Sequence, residues 1–434
     1  MTRQRKGKSG KHAKETSQGS AMRRIGRLAA TLLTAAMIIG TGIFGALGAA
    51  ADHAGSALLL AMIPGALVAW STGVSGAQLG VNFPRGGGAF IWARAFHYDS
   101  LGFIAGCCYL GQGIVGTGVV ALAFAHYTAQ LIPGLPIHIV AAAAVLSGVV
   151  LNSFGISFTS KVVIALMLTV VGLLAIFVSF SIPHIEPANL VPRFEKGPLE
   201  FMAGAAIFFW AWDGFMRTAI MAGEMKDPRR TIPFSIAGGI AIAAVVFYAV
   251  ATTTLGVLGA DEVGADDAPL YRAATRSVGA WGGWLILAAA WLAAINELVS
   301  DLLSVSRVGH AMGEAGEMPR WFGELHPQYR VPRHAVIAIG MVTLALVLAF
   351  DLRQILPLAS FYLLIWFAIT HFAALHLSRQ QRLTSPFFSW FGLVGCFVLI
   401  FFIPPLLLII GTTSLALAAG VRFIARTFLR ARSS

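Results

Sequence analysis

Twelve apolar runs consume almost the whole chain, most of them near the roughly 20 residues that a helix needs to cross a bilayer. They lie near 28–50, 56–80, 100–131, 137–156, 160–182, 201–223, 232–258, 281–306, 334–350, 354–377, 387–403 and 405–424, with Pro404-Pro405 as the turn between the last two. Only 12% of residues are charged, against about 25% in a soluble domain. The expectation is an all-α polytopic membrane protein with twelve transmembrane helices. The cysteines, Cys107, Cys108 and Cys396, all fall in apolar runs. No metal-ligand spacing, nucleotide-binding loop or nucleophile elbow is present, so neither a cofactor nor a metal is expected. The histidines His53, His97, His126, His310 and His371 read as interfacial or packing residues.

The net charge of +12 does not point to nucleic acid, because its placement follows the membrane. Nine of 31 Lys/Arg precede the first run, within residues 1–27. With the N-terminus inside, the inner segments hold 26 Lys/Arg and the outer ones five: Arg193, Lys196, Arg272, Arg276 and Arg353. Cytoplasmic loops carry such an excess. Both termini are therefore expected in the cytoplasm, with Asp266 exposed in an outer loop at 259–280. The lipid bilayer is the only large partner implied. The location that fits is a cell inner (plasma) membrane.

Two of the runs are interrupted. Residues 38–44 read Ile-Ile-Gly-Thr-Gly-Ile-Phe, and residues 210–215 read Trp-Ala-Trp-Asp-Gly-Phe. In hydrocarbon every backbone N–H and C=O needs a partner within the protein. A helix therefore opens at mid-membrane only where it lines a cavity or meets something polar. Asp213 adds a carboxylate at a depth where it costs at least ~2.5 kcal/mol. Gly42 and Gly214 are 172 positions apart, and five runs begin with each break. Five is odd, so the two units cross in opposite senses, as in a 5+5 inverted repeat with broken helices 1 and 6. The breaks then face one another at the centre. Free N–H groups there attract a carboxylate, and free C=O groups attract an ammonium group. A zwitterionic amino acid suits the pair.

Four motifs in this order resemble the amino acid–polyamine–organocation transporters. They are Gly40-Thr41-Gly42-Ile43-Phe44-Gly45; Phe83-Pro84-Arg85-Gly86-Gly87-Gly88-Ala89-Phe90; Phe208 to Phe215 with Ala222 to Pro233; and Ser306-Arg307, Ala311-Met312, Met318-Pro319 and His326-Pro327. The resemblance implies a LeuT-type fold and secondary transport. It divides the chain into a basic tail (1–27), a first five-helix repeat (28–182), a second, inverted one (201–377), two peripheral helices (387–424) and a short tail (425–434). It places the substrate at Gly40, Thr41, Gly42 and Ile43, with its carboxylate on Thr41 and Gly42, and at Trp210, Asp213 and Gly214, with its amino group on the backbone around Trp210 to Asp213. Trp210 would be an aromatic gate. Glu224, Lys226 and Arg230 would act in the inner closure.

Three departures from the pattern bear on substrate and coupling. Many relatives carry a lysine midway along span 5, linked to proton coupling, and alignment places Gly172 there. Met216-Arg217 follows the second break where many relatives have an acidic or amide residue. Glu297 and Asp301 share a helix face at i and i+4, where relatives usually have small or hydroxyl residues. Those acids read either as internal salt-bridge partners of Arg217 or Arg307, or as an acidic pocket for a cationic substrate in which Asp301 contacts it.

The function that fits is an amino acid permease working by alternating access, as an exchanger of the L-type kind or with a coupling proton. A polyamine or organic amine carrier of the same fold is the alternative. A membrane sensor without turnover belongs to another class. An intramembrane enzyme would need a nucleophile or metal set that is not apparent. A sodium-coupled carrier of other solutes is disfavoured by the first and last motifs. Replacing Gly42 by Leu is expected to fill the site without harming the fold.

Overall fold

A computed structural model describes residues 25–84, 87–156 and 158–433, and it is helical throughout. The basic tail up to residue 24, with Arg85 and Gly86 of the second motif, lies outside the described residues. The helices are α1 (Arg27–Ile38), α2 (Gly42–Ala54), α3 (Leu58–Asn82), α4 (Ala89–Ala95), α5 (Asp99–Ala129), α6 (Ile137–Ser153), α7 (Ser160–Ser181), α8 (Gly197–Phe208) and α9 (Met216–Ile220). They continue with α10 (Pro228–Leu258), α11 (Ala260–Ala265), α12 (Pro269–Val278), α13 (Ala280–Glu314), α14 (Arg333–Ala349), α15 (Leu352–Leu375), α16 (Phe387–Phe401) and α17 (Pro405–Ser433). Among the described residues, seven helical stretches are long and apolar enough to cross a membrane. Four shorter apolar helices, α1, α6, α14 and α16, accompany them.

The buried core draws on α1, α2, α3, α5, α8, α10, α13 and α15, among others. Small residues let these helices approach closely, as expected where packing rather than water drives association. The glycines of α5 illustrate this. A Cβ on Gly111 would lie 3.0 Å from the Tyr362 ring, one on Gly116 3.3 Å from the Trp210 indole nitrogen, and one on Gly118 3.1 Å from Leu346.

Three sequence expectations change. Residues 259–280 do not form an open loop. They fold as α11 and α12, and Asp266 is buried between them, accepting from the Ala268 N–H at 2.9 Å and from Arg272. Gly172 is exposed on the outer face of α7. The face that α7 turns inward repeats every three to four residues as Val163, Met167, Val170 and Leu174, so no cationic side chain of α7 reaches the centre. Arg217, counted with the inner loops, belongs to α9, where it is largely buried and pairs with Asp301. The charge split becomes 25 to five, and its sense is unchanged.

Candidate functional site

The first break is three residues wide. Ile39 leaves the helical region with φ −80° and ψ 71°. The Gly40 N–H reaches back only to the Ile38 carbonyl, at 2.9 Å, and α2 starts when the Gly45 N–H meets the Thr41 carbonyl at 2.8 Å. The first N–H groups of a helix have no carbonyl partner within it. One of these orphans, the Thr41 N–H, donates to Glu297 Oε2 at 2.6 Å. The Thr41 hydroxyl donates to the same oxygen at 2.6 Å. Gly40 makes room for this carboxylate, because a Cβ there would lie 2.8 Å from Glu297 Cδ.

The second break runs from a 3-10 turn at Phe209–Trp212 to the start of α9. Asp213 is extended, with φ −67° and ψ 169°. Gly214 has φ +108°, a region that only glycine adopts at little cost, and any side chain on it would strike the Met37 carbonyl. The breaks pack directly on each other. A Cβ on Gly42 would lie 2.7 Å from Ala211 Cα, and the Thr34 and Thr218 hydroxyls meet at 2.7 Å.

Charges cluster around this junction. Asp301 ion-pairs with Arg217, and both side chains are largely buried. Gln112 on α5 donates to Asp213 at 2.9 Å. Three carboxylates, Asp213, Glu297 and Asp301, thus surround one guanidinium. Glu297 and Asp301 take different partners despite sharing a helix face.

A cavity of about 490 Å³ leads to the junction from one end of the molecule. Gly40, Arg217 and Glu297 lie along it, with Tyr109, Asn296 and Ser304. The Tyr109 and Ser304 hydroxyls are 2.6 Å apart. The Asn296 side-chain carbonyl is buried and has no hydrogen-bond partner among the described residues. Pro84, Gly87, Phe158, Glu224 and Arg307 also border the cavity.

Away from the cavity, a second set of contacts joins other connecting segments. The backbone of Asp266 lies against Gly48, closer than any Cβ would tolerate. Arg353 donates to Asp267 at 2.6 Å, to Asp52 at 3.2 Å and to the Gly264 carbonyl at 2.7 Å. This ties α2, the α11–α12 segment and α15 together.

Of the residues expected to hold substrate, Gly40 reaches the cavity wall. Thr41, Gly42, Ile43, Trp210, Asp213, Gly214 and Asp301 do not line it. Trp210 is buried against α5. Glu224 lines the cavity, and its backbone carbonyl accepts from Ile25 N–H at 3.3 Å. The Lys226 N–H donates to the Ile25 carbonyl at 2.9 Å. Arg230 is exposed and lies 3.8 Å from Asp227. Gly42→Leu would not be a clean probe of substrate, since the added side chain would push the two breaks apart. The sequence reading passed over Gln112, Tyr109 and Asn296. Their signal was a polar group set in an apolar run, which does not say what it faces. Among the described residues no His, Cys, Asp and Glu cluster is placed to hold a metal ion.

Long apolar helices around a largely apolar cavity that carries Glu297 and Arg217 define a multi-pass membrane protein. The amino acid permease family profile matches residues 30–430. The chain therefore belongs to the amino acid permease family, whose members are transporters rather than enzymes. It is 31% identical over 387 residues to an uncharacterized transporter of Mycobacterium tuberculosis, covering 88% of this chain and 86% of that one. It is 26% identical over 383 residues to the serine/threonine exchanger SteT of Bacillus subtilis, covering 85% and 86%. It is 27% identical over 407 residues to human cationic amino acid transporter 4, covering 86% of this chain and 62% of that one.

Proposed function

We propose that this chain is a secondary transporter that moves an amino acid across the cytoplasmic membrane by alternating access. It would do so on a LeuT-type fold with twelve crossings, a 5+5 inverted repeat and both termini inside. The observation that carries the reading is the cavity that ends at two apposed helix breaks. Its border residues Pro84, Gly87, Phe158, Glu224 and Arg307 come from segments that the charge pattern assigns to the cytoplasm. Asp52, Asp267 and Arg353 come from segments assigned outside. On this reading the conformation is open to the cytoplasm and sealed from outside by the Arg353 contacts.

Substrate would enter this cavity, its ammonium group meeting the free Asn296 carbonyl and its carboxylate the donors of the first break. Three carboxylates around one guanidinium favour a cationic amino acid or an amine. The relatives named for neutral and for cationic amino acids are about equally similar to this chain, so likeness does not choose between them.

Uptake in proteoliposomes tests this. A radiolabelled panel of neutral and cationic amino acids and polyamines is applied with and without a pH gradient, and with and without internal substrate. Saturable uptake of one class is the expected result. Orientation is tested separately with single cysteines in place of Arg193 and Lys161, both exposed, in a background without Cys107, Cys108 and Cys396. An impermeant reagent outside intact cells should label the first and spare the second.

A further inference from the structure

Glu297 already occupies both donors of Thr41, one of the two residues on which a substrate carboxylate is expected to land. Both the N–H and the hydroxyl of Thr41 are spent on its Oε2, and Gly40 is shaped to the same group. A second carboxylate cannot share these donors without placing two anions in contact. We propose that Glu297 is a carboxylate gate that couples substrate to a proton: it lets go of Thr41 when it is protonated from the cavity, and the substrate carboxylate takes its place. The proposal rests on the amino acid transport reading above.

The balance is simple. One proton from cavity water adds to the Glu297 carboxylate, giving the neutral acid. The substrate's α-ammonium and carboxylate groups enter together as a zwitterion, and any side-chain charge enters unchanged. One anionic group rests on Thr41 before and after, and the loaded site carries one extra proton. The carrier would thus move one proton with each amino acid.

The surroundings of Glu297 allow this. It lines the cavity, so water brings the proton to it. Arg217 of α9 lines the same cavity but is held by Asp301, one turn along α13. Asp213 of the second break is engaged by Gln112, and the Tyr109 phenol of α5 by Ser304. The first break contributes the Thr41 donors and no charge, and α1 presents Leu33, Ala36 and Met37 to the cavity. α6 buries Ala141, Val145 and Gly148, and α7 buries Val163, Met167, Val170 and Leu174, all uncharged. Arg307 lines the cavity too, but it is exposed and sits about 15 Å further along α13. Glu224 at the cavity border is acidic. With Arg217 held by Asp301, a proton compensates Glu297 once it is displaced.

The test is calorimetric titration of the purified full chain with alanine, arginine and putrescine, from about pH 5 to pH 8. Buffers of different ionisation enthalpy report the protons taken up. The expected result is uptake of close to one proton with alanine or arginine. Affinity should fall by up to about tenfold per pH unit once Glu297 ionises. Glu297→Gln, neutral at every pH, should bind the same amino acid with no proton uptake and little pH dependence. Glu297→Asp, which keeps the acid, should retain proton uptake and serves if the Gln variant does not fold. Amino acid binding by the wild type without proton uptake overturns the proposal. So does proton uptake that persists in Glu297→Gln, or tight putrescine binding with no binding of either amino acid. If none of the three probes binds to wild type or variant, the transport reading falls, and the gate falls with it.

Discussion

Thr41 and Glu297 are joined by two hydrogen bonds to one oxygen, from the Thr41 N–H and from its hydroxyl, each 2.6 Å long. The residues are 256 positions apart in the chain. The bond satisfies the start of α2 with a side chain of α13. It also fills with the protein's own carboxylate the place where a substrate carboxylate is expected.

Gly40 and Glu297 should be energetically coupled. Gly40→Ala places a methyl group 2.8 Å from Glu297 Cδ, and overpacking of this kind costs about 1–3 kcal/mol. In a Glu297→Ala background the same change should cost much less. Thermal unfolding of both single variants and the double variant gives the coupling energy. Additive effects would mean that the glycine is needed for backbone geometry alone.

Asp301→Asn should reduce stability more than it changes substrate preference. Removing one partner of a buried ion pair leaves the other charge uncompensated, at about 3–5 kcal/mol. Arg217→Met combined with Asp301→Leu should recover most of that loss. Unfolding measurements beside competition assays with lysine and alanine separate the two effects. A selective loss of lysine binding at unchanged stability would restore Asp301 as a substrate ligand.

On the proposed orientation, Arg353→Ala should loosen a seal on the outer side. It deletes the bonds to Asp267, Asp52 and Gly264. A loss of 1–2 kcal/mol from the sealed form shifts the populations by about 5–30-fold. A cysteine at buried Ala49, in a background without the native cysteines, should then react faster with an impermeant reagent from outside. An unchanged rate would show that the seal is carried by the apolar packing of α2.

Glu317 should make stability depend on acid. Its carboxylate is 1% exposed and meets Arg422 at 2.7 Å, Arg426 at 2.7 Å and Arg94 at 3.5 Å. Burial works to raise its pKa, but the Arg422 hydrogen bond and the charges of Arg422, Arg426 and Arg94 outweigh it and hold it below the ordinary value. A carboxylate depressed in the folded state contributes its full stabilisation above the unfolded value of about 4.3. That contribution is lost as pH falls through the folded value. The wild type should lose melting temperature below about pH 4, and Glu317→Gln should start lower and vary less over that range.

Much of the architecture is legible in the sequence because membrane insertion is a local constraint. Each apolar run must satisfy its own backbone in lipid, so length and apolarity mark the helices. The breaks at 39–41 and 209–215 are legible for the same reason, since Gly40, Gly42 and Gly214 weaken a helix wherever it sits. Partners are not local. The sequence puts Glu297 and Asp301 on one helix face because they are four residues apart, and leaves Arg217, Arg307 or a substrate open as the partner of both. Packing instead turns Glu297 to Thr41 and Asp301 to Arg217, since α13 meets the first break with one and α9 with the other. The inward face of α7 and the burial of Asp266 were likewise decided by what packs against them. Chain-local chemistry determined which segments are helices and where they fail. Only the tertiary structure decided which charge answers which, because the energy of a buried carboxylate depends on the neighbour that reaches it.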